Sequence, residues 1–196
     1  MLIRWSLAFP ESPPSPEFTS GAIHVCKTYG DGKEKTEVDA SIEGNGVLAF
    51  VEAKLYSAMS LADGARPHDQ IARKLRVGIR EAERTKKDFY FLILDIAPKE
   101  ILRGLSPGAS LTAAKSAKRG GFASKWLTAY WFSRYKGSGS VTPLREVLKD
   151  IPAADANTTS ENMGWLVWSD VFKVTLRGVI AAATEADSNF LKRGDG

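Results

Sequence analysis

Three carboxylates and one lysine are the side chains of this chain whose types and spacing could do chemistry. They are Glu37, Asp39, Glu52 and Lys54, on two neighbouring segments. Like charges directly opposite each other in a β-sheet are destabilising, and a bound divalent cation would remove that cost. Carboxylate oxygens are hard ligands that suit Mg²⁺ or Mn²⁺. The pattern therefore predicts a metal site; the alternative is an ordinary wet sheet face on which Lys54 neutralises a neighbouring acid.

A tight turn predicts which of these residues face each other. Asn45-Gly46 separates two β-rich runs, and Asn-Gly is typical of a two-residue hairpin turn because both central residues need positive φ. In that register Asp39 lies opposite Glu52, and Glu37 lies opposite Lys54. Residues two apart share a face, so all four are expected on one side. The other side receives an apolar set suited to a core: Val38, Ala40, Ile42, Ala49, Val51 and Ala53.

Turn signals and hydrophobic spacing predict the elements that position these residues. Strands are predicted over 22–29, about 35–43 and 47–55. Apolar residues at helical spacing predict a helix over 68–86, and the near-continuous apolar run over 88–96 predicts a strand buried on both faces. The predicted order in the first half is strand, strand, strand, helix, strand.

The second half of the chain is expected to be mainly helical. A helix is predicted over about 121–136, a turn over 137–140, and a short helix that begins near 142. The segment 165–168 fits either a strand or a turn. A last helix is predicted over about 169–183.

The first half resembles the core of the PD-(D/E)XK nuclease superfamily. The resemblance rests on Asp39, on Glu52-Ala53-Lys54 at the end of the next strand, and on the helix and buried strand that follow. It covers about residues 22–96. It implies a restriction-endonuclease-like α/β fold with an αβββαβ core and a mixed central sheet, here followed by a C-terminal helical extension.

The chain departs from the pattern of that superfamily at three places. Val38 stands where the proline of the superfamily's name would be, and Lys74 stands where one branch has a tyrosine. The superfamily has a helix before the first strand, often with a further acidic ligand, whereas about twenty proline-rich residues precede the first strand here. Glu11, Glu17 or Glu37 could substitute for that ligand, or the chain could lack the element.

The resemblance implies roles for four residues. Asp39 and Glu52 are expected to bind a catalytic Mg²⁺ or Mn²⁺, with Glu37 as a further candidate ligand. Lys54 is expected to orient the attacking water or to stabilise charge at the scissile phosphate. Gln70, at the start of the helix, is expected to point into the site. Whether one ion or two bind stays open.

The function implied by the resemblance is metal-dependent hydrolysis of phosphodiester bonds in DNA, by an endonuclease. The alternative is a non-catalytic nucleic-acid-binding or assembly protein on the same fold. Many nucleases of this superfamily act as dimers, so a homodimer stays open.

The distribution of charge points to a polyanionic partner such as DNA. The net charge is +4, yet no acidic residue lies between Glu100 and Glu146, a stretch that carries eight lysines and arginines and so leaves −4 for the rest. The alternative is a solvated basic face, with the aromatic residues among the cations belonging to the core. The candidate phosphate contacts are Lys115, Lys118, Arg119, Lys125, Arg134 and Lys136.

Several classes of protein are excluded by composition. The one cysteine, Cys26, excludes an internal disulfide framework and a four-cysteine zinc site, and two histidines exclude a histidine-rich zinc centre. No phosphate-binding glycine motif is present, so no nucleotide cofactor is expected. No apolar stretch approaches the ~20 residues that span a bilayer. We expect no membrane partner and a cytoplasmic location.

The length of 196 residues fits one domain. We expect an irregular N-terminal arm over 1–20 and a single nuclease-like domain over 21–196. Within that domain the core spans 22–96, the basic and helical extension 97–185, and a frayed tail 186–196.

Overall fold

The structure is a computed structural model, and it describes residues 21–54, 59–65, 67–96, 123–136 and 140–193. In this part of the chain the protein has an α/β architecture, with a five-stranded mixed open sheet and helices. The predicted arm over 1–20 lies outside the described residues.

Strands and helices alternate irregularly along the described chain. The strands are β1 (Gly21–Tyr29), β2 (Thr36–Gly44), β3 (Val47–Lys54), β4 (Asp88–Asp95) and β5 (Met163–Val167). The helices are α1 (Gln70–Thr85), α2 (Ala123–Tyr135), α3 (Thr142–Leu148), α4 (Ala156–Glu161) and α5 (Trp168–Arg193). A short 3₁₀ turn (Gly32–Glu34) connects β1 to β2.

The sheet has the order β1-β2-β3-β4-β5. The first two pairings are antiparallel and the last two are parallel. Helix α1 makes the crossover from β3 to β4, as parallel neighbours require. The predicted α/β class and the predicted order of the first half are confirmed, and the segment predicted as strand or turn is the parallel strand β5.

The predicted hairpin register is confirmed from the turn to the fifth pair. Gly44 pairs with Val47, and the ladder continues to Ala40 with Val51. Gly46 has a φ of 77°, but the φ of Asn45 is not positive, so the turn keeps the predicted register without the positive φ expected at both central residues. Beyond that pair the recorded ladder ends, so Asp39 and Glu52 are not a ladder pair.

The predicted face of Val38 is wrong. Val38 is fully buried in the same core cluster as Phe50. Ser41, three residues further along β2, lies on the same side of the sheet. In a regular strand two residues three apart would lie on opposite sides. The alternation of side chains shifts by one residue between them. At this level of the sheet Cys26 of β1 has a φ of 53°, a left-handed conformation that residues other than glycine rarely adopt. This local distortion of β1 and β2 could not be predicted from the turn alone.

Apolar side chains cover both faces of the sheet. On one face α1 packs through Ile71 and Leu75 against Phe50 and Phe91. The other face carries a smaller buried cluster, whose members are Val47, Ala49, Tyr90, Leu92, Leu94 and Leu166. Strand β4 is central and is buried on both faces, as its apolar run predicted.

Helix α1 approaches β4 closely because it has a glycine at the contact. A Cβ atom added at Gly78 would lie 2.0 Å from the ring of Phe89. No real side chain fits that space, so the glycine sets the distance between the helix and the sheet.

The last helix is longer than predicted. Helix α5 runs from Trp168 to Arg193, through much of the segment expected to be a frayed tail. Its large apolar side chains Phe172, Val179 and Ile180 are more than half exposed. None of the described helices is both long enough and apolar enough to cross a membrane.

Candidate active site

Two charged side chains are buried side by side near the end of β3. Glu52 and Lys54 are 1% and 6% exposed, and the Nζ of Lys54 lies 2.7 Å from the Oε1 of Glu52. They are two residues apart, so they share the face that α1 covers. Burying a charge is costly unless it is paired and hydrogen-bonded, and here each charge is paired with the other.

Gln70 connects these two residues to the start of α1. Its Nε2 donates to the Oε1 of Glu52 at 2.6 Å, and its Oε1 accepts from the Nζ of Lys54 at 3.0 Å. The same Oε1 accepts from the backbone N–H of Ser60 at 3.2 Å. The structure therefore brings together three of the residues predicted to form the site.

Asp69 fixes the start of the helix that carries Gln70. Its Oδ1 accepts from the backbone N–H groups of Ile71 and Ala72, the capping arrangement that satisfies free donors at a helix N-terminus. Its Oδ2 accepts from the hydroxyl of Tyr135 in α2 at 2.6 Å. Burial raises the pKa of Asp69 although these hydrogen bonds oppose the shift. Helix α2 thus holds α1 in place next to the site.

Asp39 reaches the site from β2. Its Oδ2 accepts from the backbone N–H of Ala53, between Glu52 and Lys54, at 2.7 Å. Its Oδ1 has no hydrogen bond within the described residues. Burial lowers the pKa of Lys54, and the negative charges of Asp39 and Asp95 oppose that shift. Asp39 therefore joins the site through the β3 backbone rather than by facing Glu52 in the ladder.

Glu37 makes no direct contact with Asp39, Glu52 or Lys54 in the described part of the chain. Its side chain is exposed, and within the described residues no hydrogen bond or ion pair links it to Asp39, Glu52 or Lys54. The negative charge of Glu37 nevertheless raises the pKa of Lys74, which contacts Glu52, against the larger lowering by burial. Its role as a further metal ligand stays a prediction.

Two further charged residues are buried at the site and were not predicted from the sequence. Lys74 lies one turn after Gln70 and is 2% exposed, and its ammonium contacts the Oε2 of Glu52. Burial lowers the pKa of Lys74 to about 8, while Asp39 and Glu37 oppose the shift. Asp95 ends β4 beside Lys54 in the parallel ladder and is 1% exposed. The available signals were the i, i+4 spacing of Gln70 and Lys74 and an acid at the end of a buried strand.

The donor atoms of the site fit a hard divalent cation with few protein ligands. Among the described residues no group of three or more histidines, cysteines, aspartates or glutamates is placed to hold a metal ion. Mg²⁺, however, commonly binds through one or two carboxylates and keeps several waters. Asp39 and Glu52 supply that number, and the Oδ1 of Asp39 makes no competing hydrogen bond in this part of the chain.

Only part of the predicted phosphate-binding set can be placed. Arg134 is exposed and lies over the ring of Trp131 at 5.7 Å. Lys136 donates to the backbone carbonyls of Ser160 and Glu161 near the end of α4, an intramolecular role. Lys125 belongs to α2, where the structure describes its backbone only, and Lys115, Lys118 and Arg119 lie outside the described residues.

The aromatic residues of α2 belong in part to the core. Phe132 and Tyr135 are buried. Phe132 meets the ring of Trp165 edge-on at 5.2 Å, and Trp131 stacks on Tyr135 at 5.6 Å between ring centres. Phe132 and Tyr135 therefore pack in the core, which is the alternative to contact with nucleic acid.

The chain was compared with protein-family models, with curated proteins and with solved structures, and none of the three comparisons finds a match.

Proposed function

We propose that this protein is a metal-dependent nuclease of restriction-endonuclease-like fold that hydrolyses phosphodiester bonds in DNA, as an endonuclease. The observation that carries the proposal is the contact among Glu52, Lys54 and Gln70, with Asp39 bound to the backbone between the first two. A buried ion pair with an amide bridge is costly to assemble, and perturbed charged groups cluster at functional sites. This supports a chemical role for the group.

Each residue has a role that follows from its contacts. Asp39 and Glu52 would hold Mg²⁺ or Mn²⁺, which when bound activates water and offsets charge on the phosphate. The ammonium of Lys54 lies 2.7 Å from Glu52, so it reaches a phosphate next to that carboxylate. Gln70 fixes the side chains of Glu52 and Lys54 relative to each other through its two hydrogen bonds.

The proposal is tested by cleavage of supercoiled plasmid in Mg²⁺ or Mn²⁺ by the full chain and by two variants. Asp39→Asn keeps an oxygen for the N–H of Ala53 but removes the charge. Lys54→Met keeps the stem of the side chain but removes the ammonium. We expect each variant to lose about 100-fold or more of the cleavage rate, the typical cost of removing one preorganised electrostatic group.

A matched control removes charge away from the site. Glu146→Gln and Lys149→Gln alter an exposed pair on and next to α3, 3.8 Å apart, and both should cleave at the wild-type rate. Cutting that needs no metal, or full activity in both site variants, would contradict the proposal.

The second candidate function is a non-catalytic nucleic-acid-binding or assembly protein on the same fold. One observation favours it: ammonium groups contact both oxygens of Glu52, so the chain itself already neutralises that carboxylate. Calorimetry with Mn²⁺ separates the two functions. Binding that Asp39→Asn abolishes supports the nuclease, whereas DNA binding without any Mn²⁺ binding supports the alternative.

DNA is the proposed substrate, and the cytoplasm is the proposed compartment. The basic stretch between Glu100 and Glu146 supports a polyanionic partner. The one cysteine, Cys26, is exposed and unpaired, as in proteins of a reducing compartment.

A further inference from the structure

The carboxylate of Glu52 is contacted by cations on both of its oxygens. Lys54 lies 2.7 Å from Oε1, which also accepts from Gln70. The ammonium of Lys74 contacts Oε2. The side chains of Glu52 and Lys74 are 2% and 3% exposed, so solvent screens this ion pair very little. Lys54 alone would be enough to balance the charge of Glu52. The second lysine, Lys74, therefore needs a separate explanation.

The two lysines stand among four carboxylates. Burial lowers the pKa of both lysines, and the negative charge of Asp39 raises it against that shift. Asp95 does the same for Lys54, and Glu37 does the same for Lys74. With Glu52 these make four negative charges against two positive ones, a net charge of −2. One divalent cation neutralises that charge, and a second would leave the site at +2.

We infer that Lys74 is a positioning residue that takes the place of a second metal ion and limits the site to one divalent cation. The inference rests on the proposed function, because it concerns the metal of that site. In two-ion sites the metals lie about 3.5–4 Å apart and act as a pair on the attacking and leaving oxygens. The ammonium of Lys74 contacts the Oε2 of Glu52, so a second ion held by that oxygen would lie directly against a positive charge. The fixed positive charge of Lys74 repels a dication there.

The backbone makes this arrangement rigid. Gln70 and Lys74 are four residues apart on α1, so both face the sheet at adjacent turns. Asp69 caps the helix and binds Tyr135. The backbone of Lys74 is therefore held beside Glu52 by the position of the helix.

The test is isothermal titration calorimetry of the metal-free full chain with MnCl₂. The wild type and Lys74→Arg, which keeps the positive charge, should each bind one Mn²⁺ per chain. Lys74→Met, which keeps the stem without the charge, should bind two. Electron paramagnetic resonance counts the ions independently, because two Mn²⁺ ions a few ångströms apart are spin-coupled.

The outcomes separate this inference from the proposed function. Two ions in the wild type, or a single ion in Lys74→Met, would overturn the role of Lys74 and leave the nuclease proposal standing. No Mn²⁺ bound to the wild type would overturn both. If circular dichroism shows that Lys74→Met does not fold, Lys74→Gln takes its place, since it keeps a donor for Glu52 without the charge.

Discussion

At the scale of single residues, Glu43 shows how a polar side chain can stabilise the outer part of this sheet. Its Oε1 accepts from the Nζ of Lys27 and from the hydroxyl of Tyr29, both at 2.6 Å. Lys87, just before β4, lies 3.7 Å from its other oxygen. Burial alone would raise the pKa of Glu43, but the hydrogen bonds from Lys27 and Tyr29 outweigh it and lower the pKa to about 2.

We predict that Glu43→Gln destabilises the protein near neutral pH and much less in acid. A lowered pKa in the folded state stabilises the protein above the unfolded value of 4.5, and this contribution is lost as the pH falls toward 2. The expected loss of unfolding free energy at pH 7 is about 1–2 kcal/mol, reduced because the side chain is partly in water. Urea unfolding at pH 7, 5 and 3 measures it. A difference from wild type that stays constant across this range would contradict the prediction.

The sequence could predict some residues of the site and not others, for physical reasons. Glu52 and Lys54 follow from the alternation of a strand, because an Asn-Gly turn sets the register near them. The direction of Asp39 depends on a distortion shared by two strands, and no short-range signal encodes it. The burial of Lys74 depends on how α1 packs on the sheet, and a lysine on a charged helix is normally solvated.

At the scale of elements, α1 is held to the rest of the molecule by an arginine cluster. Arg76 is 3% exposed, and its Nη2 donates to Glu34 at 2.7 Å and to Asp150 at 2.6 Å. Its Nη1 donates to the carbonyl of Val147 in α3 at 2.6 Å. The hydrogen bond from Arg76 also holds the pKa of Asp150 well below its usual range. These contacts give Arg76 an internal role within the fold.

We predict that Arg76→Met costs about 2–3 kcal/mol of unfolding free energy. The substitution leaves the partly buried carbonyl of Val147 without its donor. Among the described residues, Glu34 and Asp150 keep only the half-exposed Arg80 as a shared partner. Chemical denaturation followed by circular dichroism measures the loss.

Arg84→Met is the control, because Arg84 is 70% exposed and pairs with Glu81 on the surface, and it should change stability by less than about 0.5 kcal/mol. Equal losses in the two variants would show that the cluster contributes nothing specific.

Element types were predictable where hydrophobic spacing was strong and connections were short. Strands β1 to β4 and helix α1 agree with the prediction within two residues at each end. Helix α4 was not predicted because its residues, Ala156–Glu161, are mostly polar and short, and the helix depends on the Asp155 cap. The end of α5 was misplaced because its sequence after 183 has no strong stop signal.

At the scale of the whole molecule, charge is divided between two parts of the chain. The acidic residues of the site lie on β2, β3 and β4, and the long stretch without acids follows β4. If that stretch binds DNA, its lysines and arginines would hold the phosphates of the backbone. The phosphodiester bond to be cut would then lie at the acidic site on β2, β3 and β4. Arg134 is exposed on α2 and fits the role of a phosphate contact, whereas Lys136 is bound to carbonyls of α4.

We predict that three cations of the stretch set the salt dependence of DNA binding. The logarithm of the affinity for duplex DNA falls with the logarithm of the salt concentration by ~0.9 per phosphate contact, so replacing Lys115, Lys118 and Arg119 together by glutamine should reduce that slope by roughly 2.7. Fluorescence anisotropy in EDTA, over a series of NaCl concentrations, measures binding without cleavage.

The matched control removes the same total charge elsewhere, because a change in net charge alone would also weaken DNA binding. Lys35, Arg84 and Lys149 are exposed cations outside the stretch, and replacing all three by glutamine should leave the slope close to that of the wild type. Equal reductions in the two triple variants would mean that net charge, and not a phosphate track, governs the affinity. An unchanged slope in the first variant would remove Lys115, Lys118 and Arg119 from the interface and leave Arg134 as the exposed candidate on α2.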